Sequence, residues 1–558
     1  MYFQWKTMPY APARDGARVP VVIVGAGPIG LAMAQALARR GVRSLVIEQR
    51  DRLSDGSRAV AYTRRTMQIL DAVGVGTAVL KQAINWDQNT VHYGDRLVYE
   101  MQLPQPDGEK HRMTNLQQCW VEQILVDALA QGGLAEVHWG CQVESLEQDG
   151  DGVRLSVYRK DGVRFGVSAD YVVGADGSRG STRKHVGLDY EGRRFEQRFV
   201  ITDYHMRSDA PAGRQVWFSP PYAPGTTVLQ HKEPFDVWRL DYQLRPGEDS
   251  DEELKPERIE ARLKAHLEMI GETAPYEIIW TSVYRANAIS LPAYRASRVL
   301  FVGDAAHQIP IFGGRGINNG FLDVVNLAWK LELVLSGRAP ERLLDSYDTE
   351  RRPAILSTIE DLTKVTLYMT SPSAGVQLMR DAVLSLSLSE RFVHALFDPF
   401  RLPAYPVLSI DADAATAAAD QEFPGGAVLG QVLPDTPVRR TDEEAKDSRL
   451  LDILGPGFSL LCFGGNDAAD ATCQSIFQAV TATDLQIRCI AVGATRAITG
   501  AAAIADTGIA SRLGAIPGAA YLVRPDQHVA GRWLRASAPA IIARAAATAG
   551  QTSNKSKE

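Results

Sequence analysis

The chain has 558 residues, 45% of them hydrophobic, with 60 Lys and Arg against 66 Asp and Glu. That length exceeds a single hydrophobic core and predicts roughly three or four globular domains, while a formal net charge of −6 gives no cationic footprint for nucleic acid or an anionic membrane surface. No apolar run approaches the roughly 20 residues of a spanning helix, no secretory leader is expected from the opening residues, and five scattered cysteines without CxxC spacing exclude a disulfide scaffold and fit a reducing, cytoplasmic setting.

Residues 1–18 carry prolines and charge without periodicity and read as an extended surface arm. Residues 21–24 predict a buried parallel strand, followed at once by Gly25-Ala26-Gly27-Pro28-Ile29-Gly30. A helical stretch, 31–40, stops at Gly41, and a second strand, 44–47, ends on Glu48. A lone GxGxxG is a weak signal. Here it follows a strand, opens a helix and meets an acid 18 residues after Gly30, which is the context a dinucleotide requires. Gly25 would make the tight turn, Gly27 would admit a pyrophosphate to the helix N-terminus, and Gly30 would let helix and strand close together. Glu48 can accept both ribose hydroxyls. NAD and FAD share this fingerprint, so it leaves the choice between them open.

Arg58 follows, then an amphipathic helix over 66–70 that stops at Gly74. Strands are predicted within 91–101, 137–139 and 153–157, with a helix over 117–129 and hairpin turns at 149–152 and 160–162. A second strand-and-turn element centres on Asp176-Gly177. Residues 195–285 turn β-rich and aromatic, which predicts an inserted sheet containing one helix, 252–267. A third element begins with strand 299–302 and Gly303-Asp304. Its loop carries Pro310, Gly313, Gly314, Gly316 and Gly320, and its helix places Leu322, Val325, Trp329 and Leu333 near period 3.6. Further helices are expected over 342–363, with a kink or break at Pro353, and over 377–397. An Ala/Asp-rich linker and a small α/β unit close the chain.

Three Gly-rich elements in this order resemble the class A flavoprotein monooxygenases, the single-component FAD-dependent hydroxylases of the p-hydroxybenzoate hydroxylase fold. The run GDAAHxxPxxGGxGxNxGxxDxxNLAWKL stands at 303–331, departing from the family habit at Arg315 (often Gln) and at Val324-Val325 (often Ala). Residues 425–558 resemble the thioredoxin-like C-terminal domain of the branch containing phenol and 3-(3-hydroxyphenyl)propionate hydroxylases, with 522–533 as its closing hairpin. Its lack of CxxC points to a packing or dimer role. The implied fold class is α/β: a Rossmann-type FAD-binding domain (1–185 and 285–400), an inserted, mainly antiparallel substrate sheet (186–284), a linker (401–424), and the thioredoxin-like domain.

The resemblance also implies roles. FAD's pyrophosphate would lie on Gly25, Gly27, Pro28, Ile29 and Gly30, and its ribose on Glu48 with Gln49 beside it. Arg58 and Gln118 would serve the phosphate and ribityl region, Val143 the adenine, and Gly303 and Asp304 the ribityl hydroxyls. Pro310, Gly314, Gly316, Ile317 and Asn318 would face the isoalloxazine. Asp176 is tied to both FAD and a transient NADH or NADPH, with Arg183 nearby. In the implied reaction, reduced flavin and O2 give a C4a-hydroperoxide whose distal oxygen is attacked by a phenolic ring. A base should therefore face the phenol, inside a dry pocket. Tyr222, His231, Trp238, Arg239 and Tyr284 of the inserted sheet are candidates. Arg315 is another, suited to a carboxylate or nitro-substituted phenolate. The expected partners are a small phenolic substrate, O2 and a second copy in a homodimer, without nucleic acid or membrane. An aromatic polyketide or other electron-rich substrate, or a non-hydroxylating flavoprotein, are the alternatives. A halogenase would show WxWxIP and a disulfide reductase CxxC, and neither is present.

Overall fold

Val21, Val22 and Ile23 are completely buried, as a strand covered on both faces must be. In the computed structural model, which describes residues 3–13, 15–105, 108–371, 373–396, 404–442 and 447–551, they lie in Ala17–Val24 at the centre of an eight-stranded sheet. Its parallel core runs Val299–Phe301, Arg164–Gly174, Ala17–Val24, Ser44–Ile47 and Ala135–His138. Two helices, Gln118–Gly132 and Gly316–Leu335, pack against a third, Pro28–Ala38.

The second sheet also has eight strands, in the order His307–Gln308, Tyr276–Ser290, Glu191–Met206, Val237–Gln243, Thr227–Lys232, Arg214–Phe218, Gln88–Tyr93, Arg96–Gln102. It is antiparallel except where Arg214–Phe218 meets Gln88–Tyr93. Two boundaries therefore differ from expectation. The hairpin Gln88–Gln102 belongs to this second sheet, because Val91 and Val98 bury their side chains against its face. Tyr276–Ser290 also runs as one strand across the boundary expected at 284.

Three further expectations are corrected. Helix Asp345–Thr370 continues through Pro353, which removes one backbone donor without ending the helix. The helix expected at 252–267 is split into Ser250–Glu253 and Pro256–Met269, with Pro256 pre-set for a first helical turn. The expected linker contains a helix, Ala414–Gln421, whose cap Asp413 accepts from Thr416 N at 2.7 Å; residues 401–403 of that linker lie outside the described residues.

A five-stranded sheet closes the chain. Parallel strands Ala502–Ile504, Arg488–Val492 and Ser459–Phe463 adjoin the antiparallel hairpin Ala520–Val523 and Val529–Trp533. Trp329 and Leu333, from helix Gly316–Leu335, sit in the same apolar core as Phe458, Leu460 and Leu522. Among the described residues, no helix is long and apolar enough to cross a membrane.

Candidate active site

The three Gly-rich elements meet at the C-terminal ends of the parallel strands. Gly25 adopts φ +109°, and a Cβ there would lie 2.5 Å from Ala175 O, beside Asp176. A Cβ on Gly30 would lie 1.9 Å from Gly25 O, so only glycine lets helix Pro28–Ala38 approach its strand this closely. Ile29 is the wedge joining the first element to the third: a Cβ on Gly320 would come within 2.7 Å of its side chain. By contrast, a Cβ on Gly27, Gly177 or Gly316 would meet nothing within 4 Å. Those three glycines border open space.

Two helices begin at that space without a side-chain cap, Pro28–Ala38 from Gly27 and Gly316–Leu335 from Arg315. Helices Arg64–Ala72 and Asp467–Thr481 are instead capped by Thr63 and Asn466. Uncapped first-turn N–H groups and the positive end of the helix dipole suit an anionic ligand. Asp304 retains solvent-accessible surface, yet burial within the surrounding protein, ahead of the lowering effects of His307 and Arg58, raises its pKa above the ordinary carboxylate value. Exposed Arg58 lies close by, within the electrostatic reach of both Asp304 and Arg179. Tyr190 ties two elements together: its hydroxyl donates to Asp304 O at 2.6 Å, and Arg183 stacks over its ring at 4.5 Å.

Several predicted ligand residues are already engaged. Glu48 Oε2 accepts from Ala26 N at 2.7 Å, and its Oε1 accepts from Arg50 N and Nε at 2.9 and 3.0 Å. Gln118 Nε2 donates to Glu122 Oε1 at 2.8 Å and to Ser54 Oγ at 3.2 Å, securing the loop after Glu48. Gln49 is exposed beside Glu48, Val143 is buried in strand Cys141–Gln148, and Pro310 is buried in the Gly-rich loop. Half-buried Ile317 precedes Asn318. Asn318 Oδ1 accepts from Thr63 N at 2.9 Å, and its Nδ2 donates to Ala61 O at 2.9 Å. Asp176 Oδ2 accepts from Thr182 N and Oγ1 at 2.9 and 2.8 Å, giving it a turn-capping role. His307 Nε2 lies 2.6 Å from Asp323 Oδ2. Burial would raise the Asp323 pKa, but His307 and Arg351 hold it below its usual value.

Strand register sorts the substrate candidates by face. One face carries Arg214, His231, Arg239, Asp203 and Trp280 in one row, and Tyr93, Phe218, Phe199 and Tyr284 in another, with Asp241 between. Phe312, from the Gly-rich loop, packs edge-on against Phe199 at 5.2 Å, and Arg239 Nη2 donates to Ser57 O in the loop after Glu48. Both ends of this face therefore meet the cofactor motifs. Arg214 and Tyr284 keep accessible surface deep inside the protein, and burial leads the lowering of the Arg214 pKa to about 10.

His231 Nε2 lies 3.8 Å from Asp241 Oδ2, and its Nδ1 has no hydrogen-bond partner among the described residues. Burial, then Arg214 and Arg239, push the His231 pKa well below normal, while burial raises Asp241 to about 7. Arg239 grips Asp203 on the neighbouring strand at 2.7 and 2.8 Å and ties this sheet to the loop at Ser57. Tyr222 and Trp238 occupy the opposite face: Tyr222 OH is 3.0 Å from His266 Nδ1, and Trp238 Nε1 donates to Met206 O at 3.2 Å. These two are not brought to the cleft. Arg315 stacks over the Tyr405 ring at 4.0 Å. Arg214, Asp241 and Phe312 were absent from the predicted set. The alternation Val-Trp-Arg-Leu-Asp-Tyr-Gln over 237–243 held the signal for Asp241, since positions 239, 241 and 243 are polar and 238, 240 and 242 are not.

Residues 18–361 match the family described as FAD binding domain, and the chain belongs to that family. It is an FAD-dependent aromatic monooxygenase. A 3-(3-hydroxy-phenyl)propionate/3-hydroxycinnamic acid hydroxylase of Mycolicibacterium smegmatis is 30% identical over 461 residues, 80% of this chain and 77% of that one. A hydroxylase of the same name from a Mycobacterium species is 28% identical over 95% of this chain and 92% of its own. The fold is that of the flavin-dependent monooxygenase PieE, solved with FAD and substrate, at TM-score 0.78, 24% identity and coverage of 97% of this chain and 100% of that one.

Proposed function

We propose that the chain hydroxylates a small phenol bearing a carboxylate side chain, using NADH or NADPH and O2. The observation that carries this reading is the polar row on the inner sheet face, where Arg214 and Tyr284 retain surface inside the protein beside His231 and Asp241. Arg214 would hold the carboxylate as a charge-assisted pair. Asp241, raised by burial to about 7, would take the phenol proton, with neutral His231 3.8 Å away. The aromatic row Phe199, Phe218 and Phe312 would exclude water from the ring. The relatives named for phenylpropionate and cinnamate hydroxylation support an acidic phenol.

FAD would be held by Gly25, Gly27, Pro28, Ile29 and Gly30 at one helix end and by Gly314, Gly316, Ile317 and Asn318 at the other. Glu48, Arg58 and Asp304 would hold its polar middle. Bound there, it supplies hydride acceptance from the nicotinamide and activation of O2. The order of the C-terminal strands supports a thioredoxin-like unit. The same reading takes the enzyme to be a homodimer, and to be cytoplasmic, the latter supported by five buried, unbridged cysteines.

The test is NADH and NADPH oxidation by the FAD-loaded protein with 3-(3-hydroxyphenyl)propionate, 3-hydroxycinnamate, neutral phenols and an aromatic polyketide, with peroxide and product measured together. The expected result is coupled hydroxylation of the acids, with Arg214→Met raising KM for acids about tenfold or more while sparing neutral phenols. Equal use of neutral phenols by both proteins, or oxygen gained only by the polyketide, would overturn the substrate assignment.

A further inference from the structure

The turn of the C-terminal hairpin Ala520–Trp533 is buried against the cofactor domain through charge. Arg524 forks onto Glu350 of helix Asp345–Thr370, Nη1 to Oε1 and Nη2 to Oε2, both at 2.8 Å. Lys330 Nζ and Asn326 Nδ2, from helix Gly316–Leu335, reach Glu350 Oε2 at 2.9 and 2.8 Å. Arg524, Glu350, Lys330 and Asp526 are all nearly or fully buried. Four buried charged groups are costly to desolvate, and such clusters persist where their geometry is complete.

The same turn grips a second helix. Arg65, in the first turn of Arg64–Ala72, donates from Nη2 to Asp526 O at 2.9 Å and from Nη1 to Gln527 Oε1. On its other side this helix start is locked to Asn318: Thr63 N and Thr66 Oγ1 both donate to Asn318 Oδ1, at 2.9 and 2.5 Å. One hairpin turn thus holds the far end of the Gly-rich-loop helix and the start of the helix that meets its N-terminus.

We propose that the hairpin turn Arg524–Gln527 is a positioning clamp that fixes the uncapped N-terminus of helix Gly316–Leu335 beneath the flavin. The inference rests on the FAD site described above and gives the C-terminal unit a part in holding the cofactor. No side chain of the turn touches the cofactor cleft; Arg65 and Arg524 act through Asn318 and Glu350.

Full-length Arg65→Met is compared with wild type and Arg65→Lys as FAD holoproteins. FAD should leave Arg65→Met on the order of fivefold faster or more, within the usual range of coupling between sites. Its visible flavin bands should shift, and the unfolding midpoint of the FAD-free protein should stay near that of wild type. Arg65→Lys should fall between the two. Gln527→Gly, which suits the φ of +69° there and removes the other side-chain partner, repeats the comparison if Arg65→Met folds poorly. Unchanged release and spectrum in both variants, or faster release matched by an equal loss of stability without FAD, overturns the clamp. A wild-type protein that takes up no FAD overturns the cofactor site instead.

Discussion

Asp241 and Asp304 are carboxyls raised by the same leading cause, desolvation by the surrounding protein, and they answer to pH and to ligand differently. The folded-state pKa of Asp241 is about 7 against an ordinary 3.8. Between about pH 4 and 7 the folded protein therefore holds a proton that the unfolded chain has released, and its stability falls as pH rises through that window. Asp241→Asn should flatten this segment of the stability–pH curve, measured by denaturant unfolding at several pH values. An unchanged slope would show that Arg214 and Arg239 keep Asp241 ionised throughout. Among the described residues Asp304 has no hydrogen-bonded cation of its own, and His307 and Arg58 are the cations that lower its pKa. Asp304→Ala should lose FAD on gel filtration, at a cost of about 1.5–3 kcal/mol for charge-assisted hydrogen bonds. Full retention of the yellow colour would displace Asp304 from the ribityl chain.

At the scale of elements, what the sequence made legible was whatever depends on backbone. Gly25 and Gly30 stand where a Cβ cannot, Gly303 takes a left-handed φ of +60°, and the strand–glycine–helix order announces each turn before any fold is known. Side-chain destination was less legible, because it depends on register. His231 and Tyr222 looked equivalent as candidates, yet the strand pairing sends His231 inward, while Tyr222 meets His266 on the other face. The hairpin Gln88–Gln102 could not be assigned to the second sheet by local pattern, since its partner Arg214–Phe218 lies more than a hundred residues away. Of the kink or break expected at Pro353, the break does not occur, because a proline costs a helix one bond, which tertiary packing of Tyr347, Ala354 and Ile355 offsets. The contact between Ile29 and Gly320 offers a direct test of how these elements fit. Gly320→Ala should lower FAD-free stability by about 1–3 kcal/mol through overpacking. Ile29→Ala in the same chain should recover part of that loss, as thermal unfolding of the four proteins in the cycle will show. Strict additivity would mean that the two helices adjust without touching.

For the molecule as a whole, helix Gly316–Leu335 is shared property. Its first turn faces the cofactor cleft, its middle supplies Asp323 to His307 and Arg351, and its end gives Trp329 to the C-terminal core. Trp329 is 1% exposed, packs edge-on against Phe458 at 5.8 Å, and lies under the Arg524 guanidinium at 5.2 Å. Arg40, at the end of helix Pro28–Ala38, adds a second crossing by donating to Pro456 O at 2.6 Å. A C-terminal unit joined this way cannot unfold without exposing the core side of the helix that seats the cofactor. Thermal unfolding followed by far-UV circular dichroism and by flavin release should therefore give coincident transitions, as expected of one cooperative unit. Trp329→Ala, at a cost of about 3–5 kcal/mol for a large buried aromatic, should move both transitions together. An early transition seen by circular dichroism alone, with flavin still bound, would mean that the C-terminal sheet melts independently and that the shared helix is stable without it.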